Sequence, residues 1–406
     1  IEQEASKMTL PLAGVRVLDL SNVLAGPFCA YQLALLGAEV IKVEHPEGGD
    51  LARRLGADKE ASTRNMGASF VAVNAGKQSL TLNLKDPRGK TILRELVKTA
   101  DVLVENFRPG VMTRLGLDFN ALREVNPKLV YCAISGFGMD GEFSKRPAYD
   151  QIIQGISGVM SVTGDADSAP LRVGYPVSDT VGGLTAAFGI CAALVDARAS
   201  GHGRMLDVSM LEATLATMGW VVSNYLNAGV TPVPMGNENF TAAPSGTFET
   251  GDGPLNIAAN ENKQFASLCH LIGRADLLDD TRFSERNARK ANRAALKAEI
   301  EAALASDSAT NWEAKFFEAG VPAGRVMSVP EILAHPHLES REFIREFPGD
   351  GATERQRVTR AGFRLSDADT APATPAPVLS AHTREQLAAL GYDDAQIDHL
   401  RSEGVI

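Results

Sequence analysis

VRVLDLSNVLAGPFCAYQLALLGAEVIKVE, residues 15–44, holds two apolar runs separated by a polar turn and a helical stretch. VRVLDL (Val15–Leu20) is short, apolar and flanked by turn residues, so it reads as a buried strand. Gly26-Pro27 marks a break, and a helix is predicted from Phe28 to about Leu36, closed by Gly37 as its C-terminal cap. EVIKVE (Glu39–Glu44) is the next predicted strand. Strand, helix and strand within about thirty residues match one βαβ unit.

The alternation continues downstream. Asp86-Pro87 opens a predicted helix to about Thr99, and DVLVEN (Asp101–Asn106) and LVYCAIS (Leu129–Ser135) are further strands. Apolar strands alternating with helices imply a parallel sheet covered on both faces, with ligands bound beyond the carboxyl ends of its strands. The candidate rim is therefore Ser21–Pro27, His45–Asp50, Asn106–Gly110 and Ser135–Gly138. Thr180–Ala199 reads as a long small-residue helix, followed by a strand at Met205–Met210 and a helix to about Ala228. Gly229–Gly253 is rich in turn residues and reads as a loop or domain crossing. Leu255–Asn260 and the helical blocks to Gly320 suit a smaller second domain. Asp367–Pro377 reads as a partly extended tether, and HTREQLAALG (His382–Gly391) as a terminal helix docking back on the first domain.

With 406 residues, 44% hydrophobic and 22% charged, the chain can bury a sizeable core in two domains or one elaborated α/β domain. A net charge of −10 argues against nucleic acid or an anionic membrane as the main partner. The four cysteines form no CxxC pair, and the seven histidines do not cluster into a metal site. No apolar run approaches the roughly 18–20 residues of a membrane span. IEQEASK at the start reads as a leader outside the fold. A cytoplasmic enzyme is expected.

Several residues could carry chemistry. Glu44 ends the second strand where a ribose-binding acid could sit, but SNVLAGP lacks the GxGxxG spacing that lets a pyrophosphate approach a helix N-terminus; a solvated Glu44 is the plainer reading. In ENFRPG, Asn106 can hydrogen-bond a polar ligand, Phe107 can cover an adenine or pantetheine face, and Arg114 can pair a phosphate. Asn106 capping a turn and Phe107 in the core is the alternative. Tyr149 and Asp150 stand beside a glycine-bearing turn, where Asp150 could equally cap a helix. Asp179 precedes Gly182-Gly183 at a helix start. It is either an N-cap or a carboxylate aimed at a ligand, with the helix N-terminus stabilising developing negative charge. Spacing leaves both open.

LGAEVIKVEHPEGGD, NAGKQSLTLNLKDPRGK, ADVLVENFRPG, RPAYDQIIQGISGVMSVTG and VSDTVGG, occurring together, resemble the class III CoA-transferases, the CaiB–BaiF family. The likeness spans nearly the whole chain, and looks strongest to members that move CoA between dicarboxylates, such as succinate–hydroxymethylglutarate CoA-transferase. The resemblance implies a Rossmann-like large domain built from both chain ends (8–225 and 326–406), a smaller α+β domain (226–325) and an interlocked homodimer. It makes Asp179 the nucleophile that passes CoA through an aspartyl anhydride and an aspartyl-CoA thioester. Coenzyme A enters as substrate, with no tightly bound cofactor, ATP or metal. The implied CoA contacts are Leu24, Ala25, Leu82, Leu84, Lys85, Asn106, Phe107, Arg108 and Arg114, with Tyr149 near the acyl group.

His45 stands where several relatives carry Arg near the CoA adenine. Where family members carry a glycine-rich gating loop, the corresponding Met235–Gly246 has only scattered glycines, with Gly236 and Asn237 as candidates for gating. The family also holds α-methylacyl-CoA racemases, which use a His–Asp pair. Tyr149 replaces that His, and a phenol holds its proton too firmly to shuttle it near neutral pH. A racemase and a non-catalytic acyl-CoA binder are the alternatives to a transferase.

Overall fold

The computed structural model describes residues 9–349 and 355–406, so the IEQEASK leader lies outside the described residues. The first unit is organised by six parallel strands: β1 (Arg16–Asp19), β2 (Glu39–Glu44), β3 (Gln78–Thr81), β4 (Val102–Glu105), β5 (Val130–Ser135) and β6 (Met205–Ser209). Their order is β3-β2-β1-β4-β5-β6. The winding direction reverses between β1 and β4, which opens a crevice beyond their carboxyl ends.

Successive strand residues point to opposite faces. Val17, Val40, Val102 and Val130 enter one core, under helices α1 (Ala25–Leu35) and, further along, Val177–Ser200. Their neighbours Leu18, Ile41, Leu103 and Tyr131 enter the other core, under α2 (Pro87–Val97) and the C-terminal residues Leu387, Ile397 and Leu400. Asp86 caps α2 by accepting from the Arg88 N–H, with Pro87 at the first helical position. Helix α3 is Asp150–Ile156 and α4 is Val177–Ser200. The α/β class expected from the sequence is the one found.

Four local readings need correction. Helix α1 begins at Ala25 rather than Phe28, because Pro27 in a first turn has no hydrogen bond to lose. β3 was not anticipated, since QSLT is half polar. It is an edge strand whose free groups are covered by the chain's end. His382 Nδ1 accepts from the Ser79 N–H at 3.1 Å, and Thr383 Oγ1 from the Thr81 N–H at 3.0 Å. The predicted tether is pinned instead: Thr374 O accepts from Gly76 N–H, and Gln356 and Ala376 exchange two hydrogen bonds. The single helix expected up to Ala228 is two, Met210–Thr217 and Trp220–Ala228, broken at Gly219 with φ 40°.

Helix α4 also overturns the expectation about apolar runs. Its 24 residues, with a mean hydropathy of 1.6 in the most apolar window, are long and apolar enough to cross a membrane. Here it packs on α1 and β5 as a core helix. Its approach to α1 depends on Gly183, where a Cβ would lie 2.6 Å from the Ala25 carbonyl oxygen.

The second unit comprises Met160–Leu171 and Thr231–Leu338. It has an antiparallel sheet of β7 (Ser245–Glu249), β8 (Pro254–Ala258) and β9 (Ala323–Arg325). Its own core contains Phe248, Ile257, Phe265, Trp312 and Phe316. β7 falls within the stretch expected to be a loop.

Gly183→Ala places a methyl against backbone that cannot turn aside, and is expected to cost about 1–3 kcal/mol. Urea unfolding should show the midpoint falling.

Candidate functional site

The crevice begins with the turn after β1, which is built on buried charge. Lys77 Nζ lies 2.8 Å from Asp19 Oδ2 and donates to the Pro27 carbonyl at 2.8 Å. Lys42 Nζ lies 3.0 Å from Asp50 Oδ2 and donates to the Ser21 carbonyl at 2.8 Å. Asp19 Oδ1 accepts from both the N–H and the hydroxyl of Ser21. Asp50 Oδ1 accepts from the Val23 N–H at 2.9 Å, holding Val23 at φ 68°. That left-handed conformation strains a β-branched residue by about 1–3 kcal/mol and persists only where its surroundings impose it. Burial alone would raise the Asp19 carboxyl, but Lys42 and Lys77 hold it at about 2. Burial lowers Lys77 to about 8 despite Asp19.

Glu44 is neither a ribose ligand nor solvated. Burial would raise its carboxyl, yet the value is lowered, because Arg53 grips both oxygens, at 2.6 and 2.7 Å. Arg53 also stacks 3.7 Å from the centre of the Phe70 ring.

The turn opens into a cleft of about 290 Å³ beyond β1, β4 and β5. Leu24, Ala25, Asn106, Phe107, Arg108, Tyr149 and Asp179 all line it, with Ser135, Gly136 and Met210. Asn106 is a brace rather than a free ligand: its amide donates to the Asn22 carbonyl and accepts from the Asn22 N–H, each at 2.8 Å. Phe107 packs partly on the second core while it lines the cleft. Tyr149 is the N-cap of α3 and 71% exposed.

Asp179 is in the first turn of α4, but the N-cap is Pro176. The capping is done by Asp150, whose Oδ1 accepts from the N–H groups of Ser178 at 2.8 Å and Asp179 at 3.3 Å. Asp150 thus caps α4 rather than its own helix. Gln154 donates to its other oxygen at 2.7 Å, and Arg172 lies 3.9 Å away. The Asp179 carboxylate itself has no cation or hydrogen-bond donor beside it among the described residues. Burial, helped by the negative charge of Asp150, pushes it up to about 7.

The expectation that α4's N-terminus stabilises negative charge needs correction. The N–H groups of Val177, Ser178, Asp179 and Thr180 donate to Tyr175, Asp150 and Pro176. The start of α1 is different. Leu24 offers no side-chain cap, and the Leu24 and Ala25 N–H groups find no acceptor among the described residues. They line the same cleft as Asp179, and unsatisfied donors at a helix start suit an oxyanion.

The other sequence-predicted residues lie outside this cleft. The Leu82 side chain is buried in the second core, and its N–H donates to the Glu44 carbonyl at 2.8 Å. Leu84 is half-buried against that core, while Lys85 and Arg114 are exposed. His45 is exposed, and its Nδ1 accepts from the Glu47 N–H. Arg108, Arg114 and Lys85 have no acidic partner among the described residues, so the strand-end rim has free positive charge on a chain of net charge −10. Gly236 and Asn237 line a separate pocket of about 760 Å³ in the second unit, with Thr247 and Asn256. That pocket's carboxylate, Glu238, is balanced by Arg293 at 3.6 Å. Sequence reasoning missed Lys42, Asp50 and Lys77; the signal for Lys42 was a lysine inside an otherwise apolar strand.

Comparisons with known proteins identify the family. The family described as CoA-transferase family III matches residues 12–383. A succinate–glutarate CoA-transferase of Agrobacterium fabrum is 36% identical over 94% of this chain and 96% of its own. An acetyl-CoA:oxalate CoA-transferase of Acetobacter aceti is 40% identical over 84% of this chain and 87% of its own. The crystal structure of a CaiB/BaiF family protein from Brucella suis superimposes with a TM-score of 0.83 at 35% identity, covering 94% of this chain and all of that one. The chain belongs to CoA-transferase family III and is a CoA-transferase of the CaiB/BaiF type.

Proposed function

We propose that Asp179 is the covalent nucleophile of a transfer that carries CoA from an acyl-CoA, with succinyl-CoA as donor, to a small dicarboxylate. One observation carries this reading: an unpaired, half-buried carboxylate raised to about 7 shares a cleft with the free N–H groups of Leu24 and Ala25. A carboxylate without hydrogen bonds is a stronger nucleophile once ionised, because little solvation must be stripped before attack.

The Asp179 oxygen adds to the thioester carbon, and the Leu24 and Ala25 N–H groups receive the oxyanion. The C–S bond breaks, leaving an aspartyl–acyl anhydride and CoA thiolate. The thiolate attacks the aspartyl carbonyl and expels the donor acid, giving an aspartyl-CoA thioester. The acceptor carboxylate attacks that carbonyl, releases thiolate and forms a new anhydride. Thiolate then takes the acceptor's acyl group and frees Asp179. Thioester energy is conserved throughout, so the route requires neither ATP nor metal. Arg108 at the wall, with Lys85 and Arg114 beyond, supplies the charge that CoA phosphates need. His45, Leu82 and Leu84 belong to the same proposed CoA surface. The dicarboxylate acceptor rests on the relatives named for glutarate and oxalate. Against a racemase, no histidine among the described residues lines the cleft to form a second proton carrier.

A homodimer belongs to this reading. Phe188 and Val195 on α4 are 78% and 72% exposed, and Trp220 and Leu226 beyond it 78% and 72%. Apolar surface on that scale marks an interface, and a second copy of the chain is the proposed cover. Sedimentation should give twice the chain mass.

Asp179→Ala should lower succinyl-CoA-dependent transfer to glutarate or oxalate by about 10³-fold or more. Hydroxylamine should trap the wild-type intermediate at Asp179; transfer surviving the substitution at a near-normal rate would falsify the mechanism. For pH, attack needs the ionised form, so kcat/KM should rise through about pH 7 and level off above it. Stability runs the opposite way. A carboxyl raised from 3.8 to about 7 contributes stability below its unfolded value that is lost as pH rises through the folded one. Asp179→Asn should therefore melt above wild type on the alkaline side, with the gap closing on acidification.

A further inference from the structure

Glu105 ends β4, directly before Asn106, Phe107 and Arg108 on the cleft wall. It is one of five buried carboxylates among the described residues, with Asp19, Glu44, Asp50 and Asp150. The other four each have a cation beside them: Lys77, Arg53, Lys42 and Arg172 respectively. Glu105 has none. Its Oε2 accepts from the Phe107 N–H at 2.8 Å, and its Oε1 from the Tyr131 hydroxyl at 3.3 Å. The charged and titratable groups facing it are Tyr131 and Cys132 on β5 and Asp207 on β6, with Asp118 acting on Tyr131. Each of these is neutral or negative, so a carboxylate there is costly to keep. Its carboxylate reaches the cleft wall through the hydrogen bond from the Phe107 N–H.

We propose that Glu105 is a positioning residue for CoA binding: ionised, it holds Phe107 and Arg108 in place on the cleft wall, and protonation loosens them. The inference rests on the reading that this cleft takes the CoA thioester. A carboxylate–amide hydrogen bond is roughly twice as strong as its neutral counterpart, so protonation weakens the hold on Phe107 without abolishing it. Burial raises the Glu105 carboxyl, the bonds from Phe107 and Tyr131 pull it back, and Asp207 adds a further rise, leaving it at about 7. The switch therefore falls within the physiological range. Because the folded value lies above the ordinary one, the ionised form costs stability above neutrality.

The test is calorimetric titration of free CoA into the wild-type protein and variants between about pH 5.5 and pH 8.5. Wild-type affinity should fall about fivefold on the acid side. Compared in an Asp179→Asn background, which removes that carboxylate's own titration near pH 7, Glu105→Gln should bind at the acid-side affinity throughout, with no limb of its own, and should melt no lower than its parent above neutrality. Tyr131→Phe removes a donor to the ionised form, so its limb should move to higher pH. Titration of CoA itself is common to all samples and cancels in the comparison. A Glu105→Gln protein that keeps the wild-type limb, or a Tyr131→Phe limb that stays in place, overturns the inference. So does a Glu105→Gln protein that melts well below wild type at every pH. Arg108→Ala separates the two levels. If it leaves CoA affinity unchanged, the cleft reading itself fails; if it weakens CoA while Glu105→Gln keeps its limb, only the role of Glu105 fails.

Discussion

Lys77 and Lys42, both without exposure, hold the turn between β1 and α1 to the sheet through Asp19, Asp50 and the carbonyls of Pro27 and Ser21. The side of the cleft formed by the turn and the start of α1 depends on that anchorage. Replacing a buried ion pair by apolar residues is often neutral, so the network is a weak argument for net stability. Removing one partner is different, at about 3–5 kcal/mol, because an uncompensated charge stays behind. Four charges at fixed distances therefore specify one path for the turn. That path includes Val23 at φ 68° and the bare N–H groups at the start of α1.

The same chain treats its buried carboxylates in two ways. Where the task is scaffolding, at Asp19 and Glu44, a cation stands beside the carboxylate and holds it ionised. At Asp179 the cation is withheld, and burial with Asp150 raises the carboxyl to about 7. A paired carboxylate is stable and unreactive; an unpaired one costs stability and gains basicity. Glu44, gripped by Arg53, contrasts with Asp179, the proposed nucleophile, beside which no cation stands among the described residues.

Much of the fold was legible in the local pattern. The strands at Val102–Glu105 and Val130–Ser135 are buried on both faces and read as largely apolar runs. β3 escaped because an edge strand carries half-polar residues, and its outer edge is covered by the chain's distant end, some three hundred residues away. The start of α1 was misplaced because Gly-Pro reads as a break when it is in fact a first turn. In the site, Leu24, Ala25, Phe107, Arg108, Tyr149 and Asp179 were named beforehand and do share one cleft. Asn106 and Asp150 were named with alternatives open: Asn106 braces Asn22 in the turn, and Asp150 caps a helix 28 residues away rather than its own.

By itself the sequence determined the α/β class, the strand ends that form the rim and, through its motifs, the family of reaction. Those follow from periodicity and from residues adjacent in the chain. Which donors remain free, and which carboxylates lack a cation, was decided only by the tertiary structure. Such properties belong to pairs far apart in sequence: Asp150 with Ser178, Lys77 with Asp19, Glu105 with Tyr131. A carboxylate's reactivity is set by what surrounds it in space, and one-dimensional spacing does not record that.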